Sequence, residues 1–340
     1  MKSTNDFLNN ESFLTPDSVT GWRNRASTHK AKWRTDSYGS RSSSEVSLTR
    51  NNNYRIMFLG SSMINGGTHV ENYETISAYL ENEEIETLNF GTMLYGLDQS
   101  FLLYTHNLKK FNPDIIIIGL DSNPVSVLGN LYIPFRDSRE VNMPFLKPRY
   151  ELKNSSLELV RIDPSMLQNI TSDSSILSFL SRHDDFYTQF SLFKHLGITP
   201  IANLLNSVRS KTESLRYYLN TQTDNTDLLL ELMETTVSTI EGSGKRVIFI
   251  YMPNRADIEP GRLMGKFPDR YGIRQKLFKD NGFPVVSVRD IFLQSGIKNS
   301  IIYSGDNQHY TAVGNRIIAE HLEEIILLDT EDQTLPGSRF

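Results

Sequence analysis

Short apolar runs alternate with longer amphipathic stretches in two parts of the chain. Five of these runs have the length of buried strands, and they cover residues 54–60, 85–91, 114–120, 245–253 and 283–288. The run "DIIIIGL" at 114–120 is almost continuous isoleucine, which is typical of a strand covered on both faces in a parallel sheet. Helical patterns lie between the runs, at about 73–83, 97–110, 226–244 and 269–281, and a closing helix is expected at about 311–324. This alternation predicts an α/β fold with three αβα layers around a mostly parallel five-stranded sheet.

The alternation is interrupted between about residues 125 and 225. The stretch "KPRYELKNSSLELVRI" predicts a β-hairpin with its turn near Asn154–Ser156. The segments "SILSFLSRH" and "ITPIANLLNSVR" have helical patterns. We therefore expect an inserted hairpin and helical subdomain over one rim of the sheet. Several of its residues could contact a sugar or could equally be packing residues: Tyr132, Phe135, Arg136, Arg149 and Tyr150.

The sequence suggests three regions. Residues 1–52 are rich in Ser, Asn, Thr and Arg, are locally basic, and include both tryptophans, Trp22 and Trp33. This pattern predicts an N-terminal arm held on the surface by a few aromatic side chains, with contact to a ligand or partner as the alternative. The α/β domain is expected at 53–330 and a C-terminal tail at 331–340.

Composition and charge exclude some functions. A net charge of −5 over 340 residues does not favour nucleic acid or an anionic membrane as a partner. The lack of cysteine excludes disulfides, thiolate zinc sites and a cysteine nucleophile. The first twenty residues are polar, and the sequence has no apolar run long enough to span a membrane. A cytoplasmic location is the expectation, with an exported form left open, and the sequence does not indicate the oligomeric state.

Polar or glycine residues follow several predicted strands, and each has an ordinary explanation. The Gly-Ser-Ser turn at 60–62 could display a hydroxyl, although a helix N-cap serine explains this stretch better by itself. Gly91 could be a simple turn residue, and Asp121 and Asn123 could be turn formers beside a proline. Asp306 and His309 could form a surface ion pair in which the histidine caps the next helix.

Taken together, these residues form a set with a specific chemistry. In a parallel sheet the strands end at one edge, so these groups are expected to lie near each other. A hydroxyl, a backbone N–H, a carboxamide and a carboxylate–imidazole pair are the groups needed for acyl transfer through a covalent intermediate.

Four short motifs give the chain a resemblance to the SGNH (GDSL-type) hydrolase family. They are "GSS" at 60–62, "NFG" at 89–91, "SN" at 122–123 and "DNQH" at 306–309. The resemblance implies a flavodoxin-like fold with Ser62 as nucleophile, His309 as base and Asp306 as its orienting carboxylate. It also implies an oxyanion hole formed by the N–H groups of Ser62 and Gly91 and the side-chain amide of Asn123.

One position departs from the family motif. Ser61 stands where the motif has aspartate, which removes a carboxylate from the floor of the site. Ser61 itself is the alternative nucleophile.

The resulting expectation is a serine esterase that removes short acyl groups, above all acetyl, from a carbohydrate or polyol. Its substrate would be an acylated saccharide or another small ester. An O-acyltransferase to a saccharide and a non-catalytic SGNH-like binding protein are the alternatives. No cofactor is expected. No metal is expected either, because the remaining histidines show no paired ligand spacing: His29, His69, His106, His183, His195 and His321.

Overall fold

The fold was analysed in a computed structural model of the chain. The structure describes residues 12–30, 32–50, 52, 54–136, 145–170, 173–187, 224–258 and 269–333. The predicted helical segment "ITPIANLLNSVR" and most of the predicted tail lie outside these residues. Among the helices that are described, none has the length and hydropathy to cross a membrane.

The described strands and helices alternate through most of the chain. The strands are β1 Leu14–Asp17, β2 Gly21–Asn24, β3 His29–Lys30, β4 Trp33–Arg34, β5 Tyr54–Leu59, β6 Ile85–Asn89, β7 Ile115–Leu120, β8 Arg149–Lys153, β9 Ser156–Val160, β10 Arg246–Tyr251 and β11 Val285–Ser287. The α-helices are α1 Ser62–Asn65, α2 Ile76–Leu80, α3 Leu97–Leu103, α4 Pro124–Leu128, α5 Ile133–Arg136, α6 Ser174–His183, α7 Asp224–Glu241, α8 Arg255–Ile258, α9 Arg270–Asp280, α10 Val288–Ser295, α11 Asn299–Ile302 and α12 Ala312–Gln333. Short 3₁₀ turns at Asn72–Glu74, Lys109–Phe111 and Pro164–Gln168, and a π turn at Tyr104–Leu108, complete the helical elements.

The central sheet has five strands in the order β6-β5-β7-β10-β11, and all of its pairs are parallel. In the central strand β7, all six residues are buried. Ile117 pairs with Phe58 of β5 on one side and with Ile248 of β10 on the other. The predicted parallel sheet is confirmed, and so are its five strands to within a few residues at each end.

Helices cover both faces of the sheet and produce two apolar cores. On one face Ile116 and Ile118 pack in the core that also contains Leu232 of α7. On the other face Ile115 and Ile117 share a core with residues of α2 and α12. Because neighbouring residues of a strand point to opposite faces, the continuous isoleucine run supplies both cores. This is the predicted three-layer αβα architecture.

The N-terminal segment is packed more deeply than a surface arm. Trp22 is fully buried, its ring stacks on Phe145 at 4.9 Å, and its Nε1–H donates to the carbonyl of Met93 at 2.9 Å. Leu14 and Trp22 belong to the same apolar core as one face of the sheet. The boundary at residue 52 stays a prediction, but the described part of this segment contributes directly to the core of the α/β domain.

The predicted hairpin is present. Strands β8 and β9 pair antiparallel, and Asn154 and Ser155 have φ angles of 50° and 60°. Positive φ at both central residues is characteristic of a type I′ turn, which matches the twist of the two strands.

The candidate sugar-contacting residues of the insertion differ in their surroundings. Arg149 donates to the carbonyls of Gly129 and His183 and to Asp185. The ring of Phe135 is almost fully buried in the core. These two side chains are therefore structural in this fold, whereas Tyr132, Arg136 and Tyr150 are half-buried.

Replacing Trp22 with alanine is expected to destabilise the fold by about 3–5 kcal/mol, because truncation of a buried aromatic side chain leaves a cavity. Urea unfolding of the full chain measures this change. Tyr73→Ala is the matched control, because Tyr73 is 68% exposed, and it should change stability by no more than about 0.5 kcal/mol. Similar small effects for both variants would contradict a core role for the N-terminal segment.

Candidate active site

In the turn after β5, the side chain of Ser61 caps the next helix, whereas the side chain of Ser62 does not. Gly60 has a φ of 138°, and a Cβ at this position would lie 2.8 Å from Ile64 Cγ1 and 3.1 Å from the carbonyl oxygen of Gly119. Only glycine fits this sharp exit from the strand. Ser61 is then the N-cap of α1, and its Oγ accepts from the N–H of Met63 at 3.1 Å. Ser62 is the first residue of the helix and is half-buried.

Ser62 meets His309 and Asp306 at the edge where the parallel strands end. His309 Nε2 lies 2.9 Å from Ser62 Oγ, although the two residues are 247 positions apart. On the other side of the ring, His309 Nδ1 lies 2.5 Å from Asp306 Oδ2. In this arrangement Asp306 can accept the Nδ1–H, and Nε2 can accept the proton of the Ser62 hydroxyl.

The loop that carries Asp306 and His309 is tied to the end of β10. Tyr303 and Tyr310 pair across the base of the loop. Both hydroxyls donate to the carbonyl of Pro253, at 3.0 and 2.9 Å. Both tyrosine side chains are buried, so the loop has a rigid base although its tip is exposed. The following helix is capped by Thr311, whose Oγ1 accepts from the N–H of Gly314, so the capping role considered for His309 belongs to Thr311.

The carboxylate of Asp306 is held ionised by its neighbours. Partial burial alone would raise the pKa of Asp306, but hydrogen bonds from the Ser304 hydroxyl, the His309 ring and the N–H groups of Gln308 and His309 outweigh it. They keep the pKa of this carboxyl well below its ordinary value. The backbone bonds also fix the orientation of the carboxylate, because its Oδ1 accepts from both N–H groups while Oδ2 faces the ring.

A second carboxylate lies beside the serine that departs from the family motif. Ser61 Oγ donates to Asp121 Oδ1 at 2.5 Å. Burial raises the pKa of Asp121, and the hydrogen bond from Ser61 and the charges of His309 and Arg136 oppose that rise. The sequence alone suggested Asp121 as a turn former. In the structure Asp121 lies at the end of β7 and places its carboxyl group next to Ser61, the residue that replaces the motif aspartate.

Asn123 is placed with its amide group available. It occupies the N-cap position of α4, but its side chain makes no capping hydrogen bond. Its Oδ1 accepts from a guanidinium N–H of Arg274 at 3.4 Å. Within the described residues Nδ2 has no hydrogen-bond partner, so this N–H₂ group can serve as a donor to a ligand.

The backbone of Gly91 is engaged elsewhere. Its N–H donates to the side chain of Asn89 at 3.1 Å, and its carbonyl accepts from Asn65 at 2.7 Å and from Asn24 at 2.9 Å. A Cβ at this position would lie 2.7 Å from the backbone nitrogen of Asn65. Gly91 is therefore required for close packing beneath α1, and its N–H is not free as the resemblance implied.

His69 is a neighbour of the site that the sequence did not indicate. Its ring stacks on that of His309 with 4.7 Å between centroids, and its Nε2 lies 3.1 Å from Asp306 Oδ2. His69, Asp306 and His309 are the group of potential metal ligands found among the described residues. The three potential ligand atoms come from two loops, so residue spacing in the sequence does not indicate this group, and the expectation of no metal stays a prediction. The position of His69 in the loop after the first sheet strand was the available signal.

The two site carboxylates are expected to change stability with pH in opposite directions. The folded-state pKa of Asp306 lies below the ordinary 3.8. Its stabilising contribution is therefore present above that pH and is lost as the pH falls toward the folded-state pKa. The folded-state pKa of Asp121 lies above 3.8, so its ionisation costs stability as the pH rises through that higher value.

Urea unfolding of the wild type, Asp306→Asn and Asp121→Asn, from about pH 2 to neutral, tests both signs. As the pH falls, wild type should lose stability relative to Asp306→Asn and gain it relative to Asp121→Asn. If the stability difference between wild type and variant changed with pH in the same direction for both variants, the opposite pKa shifts of Asp306 and Asp121 would be refuted.

Comparisons with known proteins were made by family model, by sequence and by structure. No family model matches the chain, and no curated protein sequence matches it. Solved structures do match. The acetyl xylan esterase AlAXEase is 12% identical, with a TM-score of 0.41, over 80% of this chain and 99% of that one. Axe2, an acetylxylan esterase from Geobacillus stearothermophilus, is 11% identical, with a TM-score of 0.38, over 80% and 93%.

A third solved structure, from Desulfitobacterium hafniense, is described as a lipolytic protein of the G-D-S-L family. It is 9% identical, with a TM-score of 0.35, over 80% of this chain and 99% of that one.

Proposed function

We propose that the protein is a serine esterase that removes short acyl groups, acetyl above all, from a carbohydrate or polyol through an acyl-enzyme intermediate. The observation that carries the proposal is the continuous contact from Ser62 Oγ to His309 Nε2, and from His309 Nδ1 to Asp306 Oδ2, at 2.9 and 2.5 Å. A surface ion pair would need only the second of these contacts.

The geometry supports a two-step reaction. In the first step Ser62 Oγ bonds to the ester carbonyl carbon while its proton passes to His309 Nε2. The alcohol then leaves with that proton, and the acyl group stays on Ser62. In the second step His309 takes a proton from water, which attacks the acyl carbon. The bond between that carbon and Ser62 Oγ then breaks, Ser62 Oγ regains a proton from His309, and the carboxylic acid is released. Asp306, held ionised, stabilises the imidazolium formed in each step.

The oxyanion of each tetrahedral intermediate needs donors that have no other partner. Ser62 lies at the start of α1, where backbone N–H groups have no intrahelical acceptor. The Nδ2 group of Asn123 is available as well, and Arg274 orients it by binding Oδ1. We assign these two donors to the oxyanion hole. The predicted contribution of Gly91 has less support, because Asn89 occupies its N–H.

The surroundings of the site favour a polar substrate. Asn254 Nδ2 donates to Ser122 Oγ at 3.0 Å, and Arg255 donates to Asn307 Oδ1 at 3.0 Å. These amide, hydroxyl and guanidinium groups lie beside the strand ends and the loop of His309, and they can exchange hydrogen bonds with sugar hydroxyls. A long acyl chain would instead need a continuous apolar wall. The acetyl xylan esterases among the similar structures make acetylated xylo-oligosaccharides sensible first substrates.

Labelling by a fluorophosphonate probe is the direct test of the proposed nucleophile. We expect the wild type to be labelled and to hydrolyse p-nitrophenyl acetate. Ser62→Ala and His309→Ala should each lower hydrolysis by about 10⁴-fold or more, because the nucleophile and its base act as one unit. Ser61→Ala is the matched control, since it removes the neighbouring hydroxyl and should retain labelling.

The other outcomes identify the alternatives. Labelling that is lost in Ser61→Ala and kept in Ser62→Ala would make Ser61 the nucleophile. Faster release of the acyl group with a sugar acceptor than with water would indicate an O-acyltransferase. A wild type that binds acetylated saccharides without labelling or hydrolysis would refute the enzymatic proposal. A screen of acetylated sugars, with Ser62→Ala as the blank, then identifies the substrate.

Asn123→Ala is expected to lower kcat by about 10²–10³-fold with little change in KM, because one oxyanion donor is worth about 2.7–4 kcal/mol in the barrier. Steady-state hydrolysis of p-nitrophenyl acetate measures this effect. Asn254→Ala, which removes a carboxamide bonded to Ser122, is the control and should keep most of kcat. An equal loss in both variants would indicate general disruption of the rim, and unchanged kcat in Asn123→Ala would exclude it from the oxyanion hole.

A further inference from the structure

His69, Asp306 and His309 bring three metal-binding atoms together at the proposed catalytic relay. One potential ligand atom from each residue lies within 4.8 Å of the other two. His69 Nε2 and His309 Nδ1 lie 3.1 and 2.5 Å from Asp306 Oδ2. Two imidazole nitrogens and one carboxylate oxygen form a ligand set that suits zinc and similar divalent transition ions. From this juxtaposition we infer an inhibitory zinc-binding site, superimposed on the relay and dependent on the proposed function.

The distances fit the coordination of one ion with a small rearrangement. Tetrahedral zinc with bonds of about 2.0–2.2 Å separates neighbouring ligand atoms by about 3.3 Å. His69 Nε2 and Asp306 Oδ2 are already 3.1 Å apart. The His309 Nδ1–Asp306 Oδ2 contact of 2.5 Å is a hydrogen bond and has to open for an ion to enter. The side chains of His69, Asp306 and His309 are 33%, 35% and 18% exposed, so an ion can reach them from solvent.

The loop that carries His69 is fixed in place by the N-terminal segment. The buried guanidinium of Arg41 donates to the carbonyl of Gly67 at 2.5 Å and to that of Val70 at 2.6 Å. These two carbonyls flank His69 in the sequence. Gly67 borders both rings, because a Cβ there would be 3.3 Å from Cδ2 of both His69 and His309. The backbone positions of the ligands are therefore set before an ion arrives.

Occupancy of the site would oppose the proposed reaction through the tautomer of His309. In the relay, Nδ1 carries the proton and Nε2 is the acceptor that faces Ser62. A metal ion on Nδ1 takes the lone pair of that nitrogen, so the proton of the neutral ring moves to Nε2. The ring then has no acceptor for the Ser62 proton. The ion also binds the carboxylate that would otherwise stabilise the imidazolium, so the metal-bound and reactive arrangements exclude each other.

Direct binding tests the site without reference to activity. Isothermal titration of the full chain with ZnCl₂ should show one site, and His69→Gln should weaken it by at least about 10-fold. His321→Gln is the matched control, because His321 is a half-buried histidine on the last helix, 3.7 Å from Glu324, and stands for ordinary surface binding. Titration with MgCl₂ should show no comparable site, since Mg²⁺ prefers oxygen ligands. Binding that His69→Gln leaves unchanged would overturn the proposal.

Labelling of Ser62 by the fluorophosphonate tests the inhibitory effect. Zinc should slow labelling of the wild type by at least about 10-fold near saturation, and EDTA should restore it. The labelling rate of His69→Gln, normalised to its own rate without zinc, should be less sensitive to the same zinc concentration. Zinc that binds through His69 without slowing labelling would refute inhibition but leave the site. A wild type that is not labelled even with EDTA would refute the proposed function, and the binding measurement would still decide the metal site.

Discussion

Parallel strands impose the constraint on which this structure depends. Each strand of a parallel sheet must be followed by a crossover, so all the strands end at one edge, and polar groups that follow different strands are brought together there. Strands β5 and β7 supply Ser62 and Asn123 in this way, and the end of β10 anchors the loop of Asp306 and His309 through the carbonyl of Pro253. The 2.9 Å contact between Ser62 and His309 is thus a consequence of sheet topology, completed by two buried tyrosine hydroxyls.

The N-terminal segment contributes to both the core and the site. Trp22 fills part of the core on one face of the sheet, and Arg41 satisfies backbone carbonyls in the loop after α1. Burial lowers the pKa of Arg41 to about 10, so the guanidinium remains charged at neutral pH. A buried cation needs several acceptors to offset its desolvation, and the buried carbonyls of an irregular loop need donors. The guanidinium of Arg41 and the loop carbonyls therefore satisfy each other. In this way the N-terminal segment, although distant in sequence, shapes the environment of His69.

The pKa values of the two site carboxyls are shifted in opposite directions because their surroundings differ. Asp306 accepts several hydrogen bonds and is partly exposed, so its ionised form is favoured. Asp121 is more deeply enclosed and receives a hydrogen bond from Ser61, and burial raises its pKa. The serine that replaces the motif aspartate thus acts as a donor to a carboxylate from the neighbouring strand. A carboxyl group near the serine turn is retained, although it comes from a different element.

Local sequence patterns determined the strands, most of the long helices, the hairpin turn and the residues that could carry acyl-transfer chemistry. These features depend on side-chain period, on glycine and on turn propensities, which act over a few residues. The pairing of His69 with Asp306, the donation from Ser61 to Asp121, the engagement of the Gly91 N–H by Asn89 and the burial of Trp22 were decided only by the tertiary structure. Each of these contacts depends on how loops from different crossovers pack together, and residue spacing along the chain does not determine that packing.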